Sequence, residues 1–96
     1  MATYVCLIKW TQQGIENIKD SPKRLSDAKK AFKKEGANLK AFYMTMGPYD
    51  MVSIAEAPDD ATLARVLLRL GSSGNLSTTT LRAFGESEYR EIISSI

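Results

Sequence analysis

The stretch Phe42–Ala55, reading FYMTMGPYDMVSIA, limits the chain's folding options more than any other. Two strand-like runs, rich in aromatic and apolar residues, flank Gly47-Pro48-Tyr49-Asp50. Glycine tolerates positive φ, while proline pre-sets φ and donates no hydrogen bond, so this tetrapeptide punctuates a turn. An antiparallel hairpin therefore lies mid-chain, and each side of it carries the pattern of a strand and a helix.

Thr3–Trp10 is a nearly continuous apolar run with β-branched and aromatic residues, the mark of a central strand. Polar Thr11–Gly14 starts a short irregular helical turn through Ile15 and Ile18. Ser21 as cap and Pro22 at the first helical position begin a helix over Ser21–Glu35, since proline there gives up only an amide that would lack a partner. Its apolar stripe is Leu25, Ala28, Ala31 and Phe32, and Gly36 ends it. The hairpin strands cover Leu39–Met46 and Met51–Ala57. Pro58-Asp59-Asp60 caps a second helix with the stripe Leu63, Val66, Leu67 and Leu70, stopped by Gly71. Asn75–Phe84 is a fourth strand. After Gly85, a final helix over Glu86–Ser95 aligns Tyr89, Ile92, Ile93 and Ile96. This order, with two right-handed crossovers around a hairpin, predicts an α+β fold: the ferredoxin-like βαββαβ plait with an extra C-terminal helix.

At 96 residues, 44% hydrophobic and 25% charged, the chain is expected to form one globular domain over residues 1–96. No apolar run is long enough to span a bilayer as a helix, and Met1–Val5 leads directly into a strand, so a cytoplasmic protein without a membrane partner is predicted. The single cysteine, Cys6, excludes an intramolecular disulfide and reads as a small buried hydrophobe. The sequence has no histidine, which removes the usual general base and the commonest transition-metal ligand. Neither a metal nor a cofactor is expected.

Both main helices of the plait cover one sheet face and leave the other open. Strand alternation assigns Val52 and Ile54, Phe42 and Met44, and Leu81 and Thr79 to the helix side. It leaves Met51, Ser53, Ala55, Tyr43, Thr45, Leu76, Thr78, Thr80, Arg82 and Phe84 on the open side. Lys9 favours placing Val5, Leu7 and Lys9 there too, with Cys6, Ile8 and Trp10 under the helices. A face this apolar calls for a partner, and two such sheets packed together give a barrel with a semi-polar interior. The chain is therefore expected to pair with itself as a homo-oligomer.

Thr45-Met46-Gly47-Pro48-Tyr49-Asp50 resembles the signature of the GYD-domain family, named for its Gly-x-Tyr-Asp turn. Further blocks extend the resemblance through nearly the whole chain: Trp10-Thr11 with Gly14-Ile15 and Asn17–Arg24, Glu56–Asp60, and Gly74-Asn75 with Thr78–Phe84. Gln12, where an acidic residue often sits, and Lys9, at an often neutral position, are modest departures. The resemblance implies a small bacterial or archaeal stand-alone domain of the dimeric α+β-barrel type. Members of that architecture bind small molecules, act as cofactor-free oxygenases or heme-handling enzymes, or sense effectors. The family itself carries no settled activity.

Tyr49 and Asp50 are the catalytic candidates, with Asp50 as acceptor or base and Tyr49 as a stacking wall; the plainer reading is that Asp50 only rigidifies the turn. Lys9, Tyr43, Thr45, Tyr49, Asp50, Thr78, Thr80 and Arg82 form a candidate ligand-binding set suited to an anionic or carbonyl-bearing molecule. The same threonines also serve simply as strand formers. Lys19, Ser21, Lys23 and Arg24 surround a helix start and form a candidate anion site. Lys29, Lys30, Lys33 and Lys34 read as a solvated helix face. They show neither interleaved exposed aromatic residues nor a recognised motif, so nucleic acid is not an expected partner. The leading expectation is a homo-oligomeric small-molecule-binding protein. The alternatives are a cofactor-independent oxygenase or isomerase on the same scaffold, and a structural or partner-binding module.

Overall fold

The computed structural model describes residues 1–96. Its elements are β1 (Ala2–Trp10), α1 (Gln12–Glu16), a 3-10 turn (Ile18–Asp20), α2 (Ser21–Lys34), β2 (Asn38–Met44), β3 (Met51–Ala57), α3 (Asp60–Gly71), β4 (Leu76–Ala83) and α4 (Glu86–Ser94). The four strands form one sheet in the order β2-β3-β1-β4, antiparallel at every pairing. Each helical crossover thus joins strands that are parallel but not adjacent, which is the ferredoxin-like α+β plait.

Local chemistry accounts for most of the boundaries. The Asp59 carboxylate accepts the Thr62 amide at 2.8 Å and caps α3. Gly36, at φ +77°, ends α2 in the left-handed conformation that favours glycine. The start of α2 differs from the expectation. Ser21 is already helical, and Asp20 ahead of it makes no side-chain cap, because the 3-10 turn runs straight into the helix. Strand β2 stops at Met44 rather than Met46, because Thr45 bonds to the turn. A register shift at Lys40 adds one residue between Leu39 and Ala41, so Leu39 and Phe42 both pack against the core despite their odd spacing.

The core lies between the sheet and α2 and α3. Tyr4, Cys6 and Ile8 of β1 and Met51, Ser53, Ala55 and Ala57 of β3 are buried beneath Phe32, Leu63 and Val66. This confirms the expected parity of β1, with Val5, Leu7 and Lys9 on the open face, and that of β2, with Phe42 inward and Tyr43 outward. Met44 shares the Phe42 side but is 70% exposed, so it adds little to the core. The parities of β3 and β4 are the reverse of the expectation. Cys6 lies opposite Ser53 on one side and Thr80 on the other. Met51, Ser53, Ala55, Leu76, Thr78, Thr80 and Arg82 therefore share the helix side, while Val52, Ile54, Thr79 and Leu81 lie on the open face.

The physical reason is the close approach of helix to sheet. Ala55 and Ala57 have no exposed surface, and small side chains at these positions make room for Phe32 and Val66. Replacing Ala55 with Leu overpacks this layer and is expected to cost about 1–3 kcal/mol in urea unfolding. Glu56→Gln, one residue along on the other face, is expected to stay within about 0.5 kcal/mol.

Candidate functional site

The hairpin tip is a closed hydrogen-bonded unit. The Thr45 amide donates to the Asp50 carbonyl at 2.8 Å, and the Thr45 hydroxyl donates to the Tyr49 carbonyl at 2.7 Å. Gly47 turns the chain at φ +119°. The Asp50 amide donates to the Ile8 carbonyl at 2.9 Å, while the Asp50 carboxylate accepts the Trp10 amide at 3.0 Å. Asp50 thus extends the β1–β3 pairing past the last regular rung and fastens the tip to the end of β1. One oxygen of its carboxylate is thereby engaged by the Trp10 amide.

The rest of the ligand-binding set is divided between the two faces of the sheet. Lys9 and Tyr43 lie on the open face, whereas Thr78, Thr80 and Arg82 lie along β4 on the helix side. They do not converge on one pocket, because the reversed parity of β4 carries its hydroxyls and guanidinium to the opposite face. The Arg82 guanidinium stacks 5.7 Å from the Tyr4 ring centroid and 4.5 Å from that of Phe84, and lies 3.8 Å from Glu88. Tyr4, also on the helix side, donates its hydroxyl to the Asp60 carboxylate. That hydrogen bond, followed by burial, pushes the phenol up to about 12. Burial likewise raises the Cys6 thiol, partly offset by the neighbouring Ser53 and Thr80 hydroxyls, so Cys6 is a poor nucleophile. No three His, Cys, Asp or Glu side chains converge to hold a metal ion.

A different site forms on the helix side, where α2 and α3 part over the sheet. It is a cleft of about 80 Å³. Leu25, Phe32, Leu67 and Leu70 line it from the helices, and Cys6 and Ser53 form its floor. Thr78, Ser21 and Arg24 of the predicted sets also border it. Lys23 is instead paired with Asp27 at 3.2 Å, and Lys19 borders neither this cleft nor the polar groove beside it.

Helix α1 positions Arg24. The Thr11 hydroxyl accepts the Gly14 amide at 3.1 Å, capping α1, and the Thr11 amide donates to the Asn75 carbonyl at 3.0 Å. Gly14 packs so tightly here that a Cβ would sit 2.2 Å from the Asn75 carbonyl oxygen. Gln13 Nε2 adds bonds to the Ser73 carbonyl at 3.0 Å and Asn75 Oδ1 at 3.1 Å. With α1 held in place, the Arg24 guanidinium donates to the carbonyls of Asn17 at 2.9 Å and Gly14 at 3.4 Å. Sequence reasoning singled out Arg24 but missed the cleft, whose signal was the small residues Cys6 and Ser53 beneath the helices and Ala28 within the α2 stripe.

The GYD-domain profile matches residues 4–93. The chain belongs to the GYD-domain family. A relative from Thermus thermophilus, the glutamine synthetase and cystathionine beta-lyase binding protein, is 37% identical over 84 residues, covering 86% of this chain and 88% of its own. Among solved structures, the Thermus thermophilus protein TTHA0845 superposes with a TM-score of 0.56 at 24% identity, over 88% of this chain and 95% of its own. A feast or famine regulatory protein from M. tuberculosis, complexed with L-methionine, gives a TM-score of 0.67 at 15% identity. The Mycobacterium tuberculosis leucine response regulatory protein gives 0.65 at 17%. This GYD domain spans about half the length of those two regulator chains (51%), with 88% of its own residues covered, and they share its fold. Within the GYD domain, the sequence blocks typical of the family touch one another: Asp50 reaches Trp10, and Gly14 packs on Asn75.

Replacing Asp50 with Asn weakens the charge-assisted bond to the Trp10 amide and is expected to cost about 1–2 kcal/mol of stability, read by urea unfolding. For Tyr4 the folded state keeps a proton that the unfolded chain releases above its ordinary pKa of 10.0. The stability from the neutral phenol is therefore complete below pH 10 and is lost as pH climbs towards about 12. Melting temperatures across this window should fall more steeply for the wild type than for Tyr4→Phe.

Proposed function

We propose that this GYD domain is a binding protein that pairs with a second copy of itself through the open sheet face and, so assembled, docks onto an enzyme of amino-acid metabolism. The apolar band that crosses the open face carries this reading. Cross-strand neighbours run Ala41–Ile54–Val5–Leu81 and Tyr43–Val52–Leu7–Thr79, and neither main helix covers them. Contiguous apolar surface of this kind is unusual on a monomer. Lys9 and Glu56 mark opposite ends of the band. A second copy with its strands reversed lays one band on the other in a self-complementary arrangement, with Lys9 of each copy facing the Lys40–Glu56 pair of the other. Helix α4 is exposed throughout, with Tyr89 at 57% and Ile93 at 51%, and offers further apolar surface beside the sheet.

The enzyme partner is suggested by the relative at 37% identity, whose name records binding to glutamine synthetase and cystathionine beta-lyase. Binding is favoured over catalysis because the groups suited to chemistry are already engaged: Asp50 by the Trp10 amide, Tyr4 by Asp60, and Cys6 by burial. The outer face of α2 presents Lys29, Lys30, Lys33 and Lys34 without ion partners, a surface suited to an acidic enzyme patch.

Light scattering after size exclusion tests the self-association. The wild type is expected to elute as a dimer or larger, and Leu7→Glu as a folded monomer with unchanged circular dichroism. A monomeric wild type overturns the pairing. Labelled wild type titrated with glutamine synthetase and with cystathionine beta-lyase then tests the docking, and the absence of saturable binding to both overturns that part.

A further inference from the structure

We propose that the cleft between α2, α3 and the sheet binds a small aliphatic carboxylate, with its hydrocarbon end inside and its carboxylate on Arg24 and Asn75. The cleft lies on the sheet face opposite the pairing surface, so this site stands independently of the proposed assembly.

The size of the cleft sets the hydrocarbon. An apolar cavity of about 150 Å³ admits benzene, so about 80 Å³ accommodates roughly three or four carbons. Leu25, Phe32, Leu67 and Leu70 give that end an apolar wall. The rim selects the head group. Arg24 and Asn75 border both this cleft and the polar groove beside it, so they mark where the apolar interior meets water.

Arg24 also differs from every other arginine in the chain. Arg65 and Arg69 pair with Glu35, Arg82 with Glu88, and Arg90 with Glu86, whereas Arg24 pairs with no carboxylate. Two of its N–H groups go to the Asn17 and Gly14 carbonyls, which fix the guanidinium and leave other donors free. Asn75 Nδ2 makes one long bond, 3.3 Å, to the Ser73 hydroxyl and keeps a second N–H for the same ligand. A half-buried cation that is already positioned and makes no ion pair is well placed to receive a carboxylate.

No acidic residue borders the cleft. Asp20 and Asp27 lie in the outer groove, the latter on Lys23. An α-ammonium would sit at the rim beside the carboxylate, where Asp20 has no ion partner, so the site selects for the carboxylate and the hydrocarbon rather than against an amino acid.

The test is a titration of the full chain with isovalerate and its neutral analogue isovaleramide, followed by amide chemical shifts. Isovalerate is expected to give saturable shifts at Cys6–Ile8 and Leu67–Leu70, while isovaleramide binds about tenfold more weakly or worse. Arg24→Gln is expected to weaken isovalerate by about tenfold. Ala28→Leu fills the cleft from the α2 side and should abolish binding, with circular dichroism checking that the protein stays folded. The proposal is overturned if isovalerate leaves these residues unmoved, if Ala28→Leu binds as the wild type does, or if the amide matches the acid. The comparison of the acid with its amide on wild-type protein decides the matter even where Arg24→Gln fails to fold.

Discussion

The structure depends on β1 being hydrogen-bonded along both edges. Seven of its residues pair with β3, and eight pair with β4. A strand's side chains alternate with a period of two, so slipping either neighbour by one residue would send all its side chains to the wrong face. The register must therefore be held at the strand ends, and two contacts do this. At one edge, Asp50 clasps the Ile8 carbonyl and the Trp10 amide. At the other, the Thr11 amide bonds to the Asn75 carbonyl immediately before β4 begins. Both fastenings meet the chain where β1 ends, so one short segment, Ile8–Thr11, aligns three strands at once.

This also gives the Gly-x-Tyr-Asp turn, which looks like a site for chemistry, a structural task. A carboxylate at a hairpin tip is an ordinary candidate base when the turn is considered alone. Only the neighbouring strand shows that the carboxylate continues a ladder of backbone bonds. The Thr45 hydroxyl, bound to the Tyr49 carbonyl, closes the turn from within. The tip then presents Met46, at 96% exposure, rather than a polar pocket.

The order of elements was legible from turn residues, caps and apolar stripes, because these are local signals. Asp59 as a cap and Gly36 as a terminator act within one helical turn of their positions. The facing of β3 and β4 was not legible, for a reason that lies outside each strand. Read alone, Val52 and Ile54 are more hydrophobic than Met51, Ser53 and Ala55, so they are the natural choice for a core. The helices need small residues beneath them, and the sheet keeps its β-branched residues for the other side, where no element of the same chain covers them. In β4 the run Thr78–Thr80 offers no contrast between faces, and the assignment fell to Leu81, which is 50% exposed. Arg24 was visible as a cation near a helix start, but its significance comes from the Gly14 and Asn17 carbonyls, which reach it only through the packing of α1 on Asn75.

The single layer of sheet places the two proposed surfaces back to back. Cys6 and Ile8 border the cleft, while Val5 and Leu7, alternating with them in the same strand, face the open side. Occupancy of one surface changes affinity at the other only so far as it distinguishes the paired from the unpaired sheet, and any such effect is equal in both directions. A sheet this tightly registered resists small continuous deformation, because Ala55 and Ala57 leave no slack beneath the helices. The helix pair is joined more sparsely than the strands are. Glu35 bridges α2 to Arg65 at 3.2 Å and Arg69 at 2.6 Å on the outside, while the cleft leaves the helices apart within. A ligand filling that gap would act first on the spacing of α2 and α3, and so on the lysine-rich outer surface of α2, before it acted on the sheet.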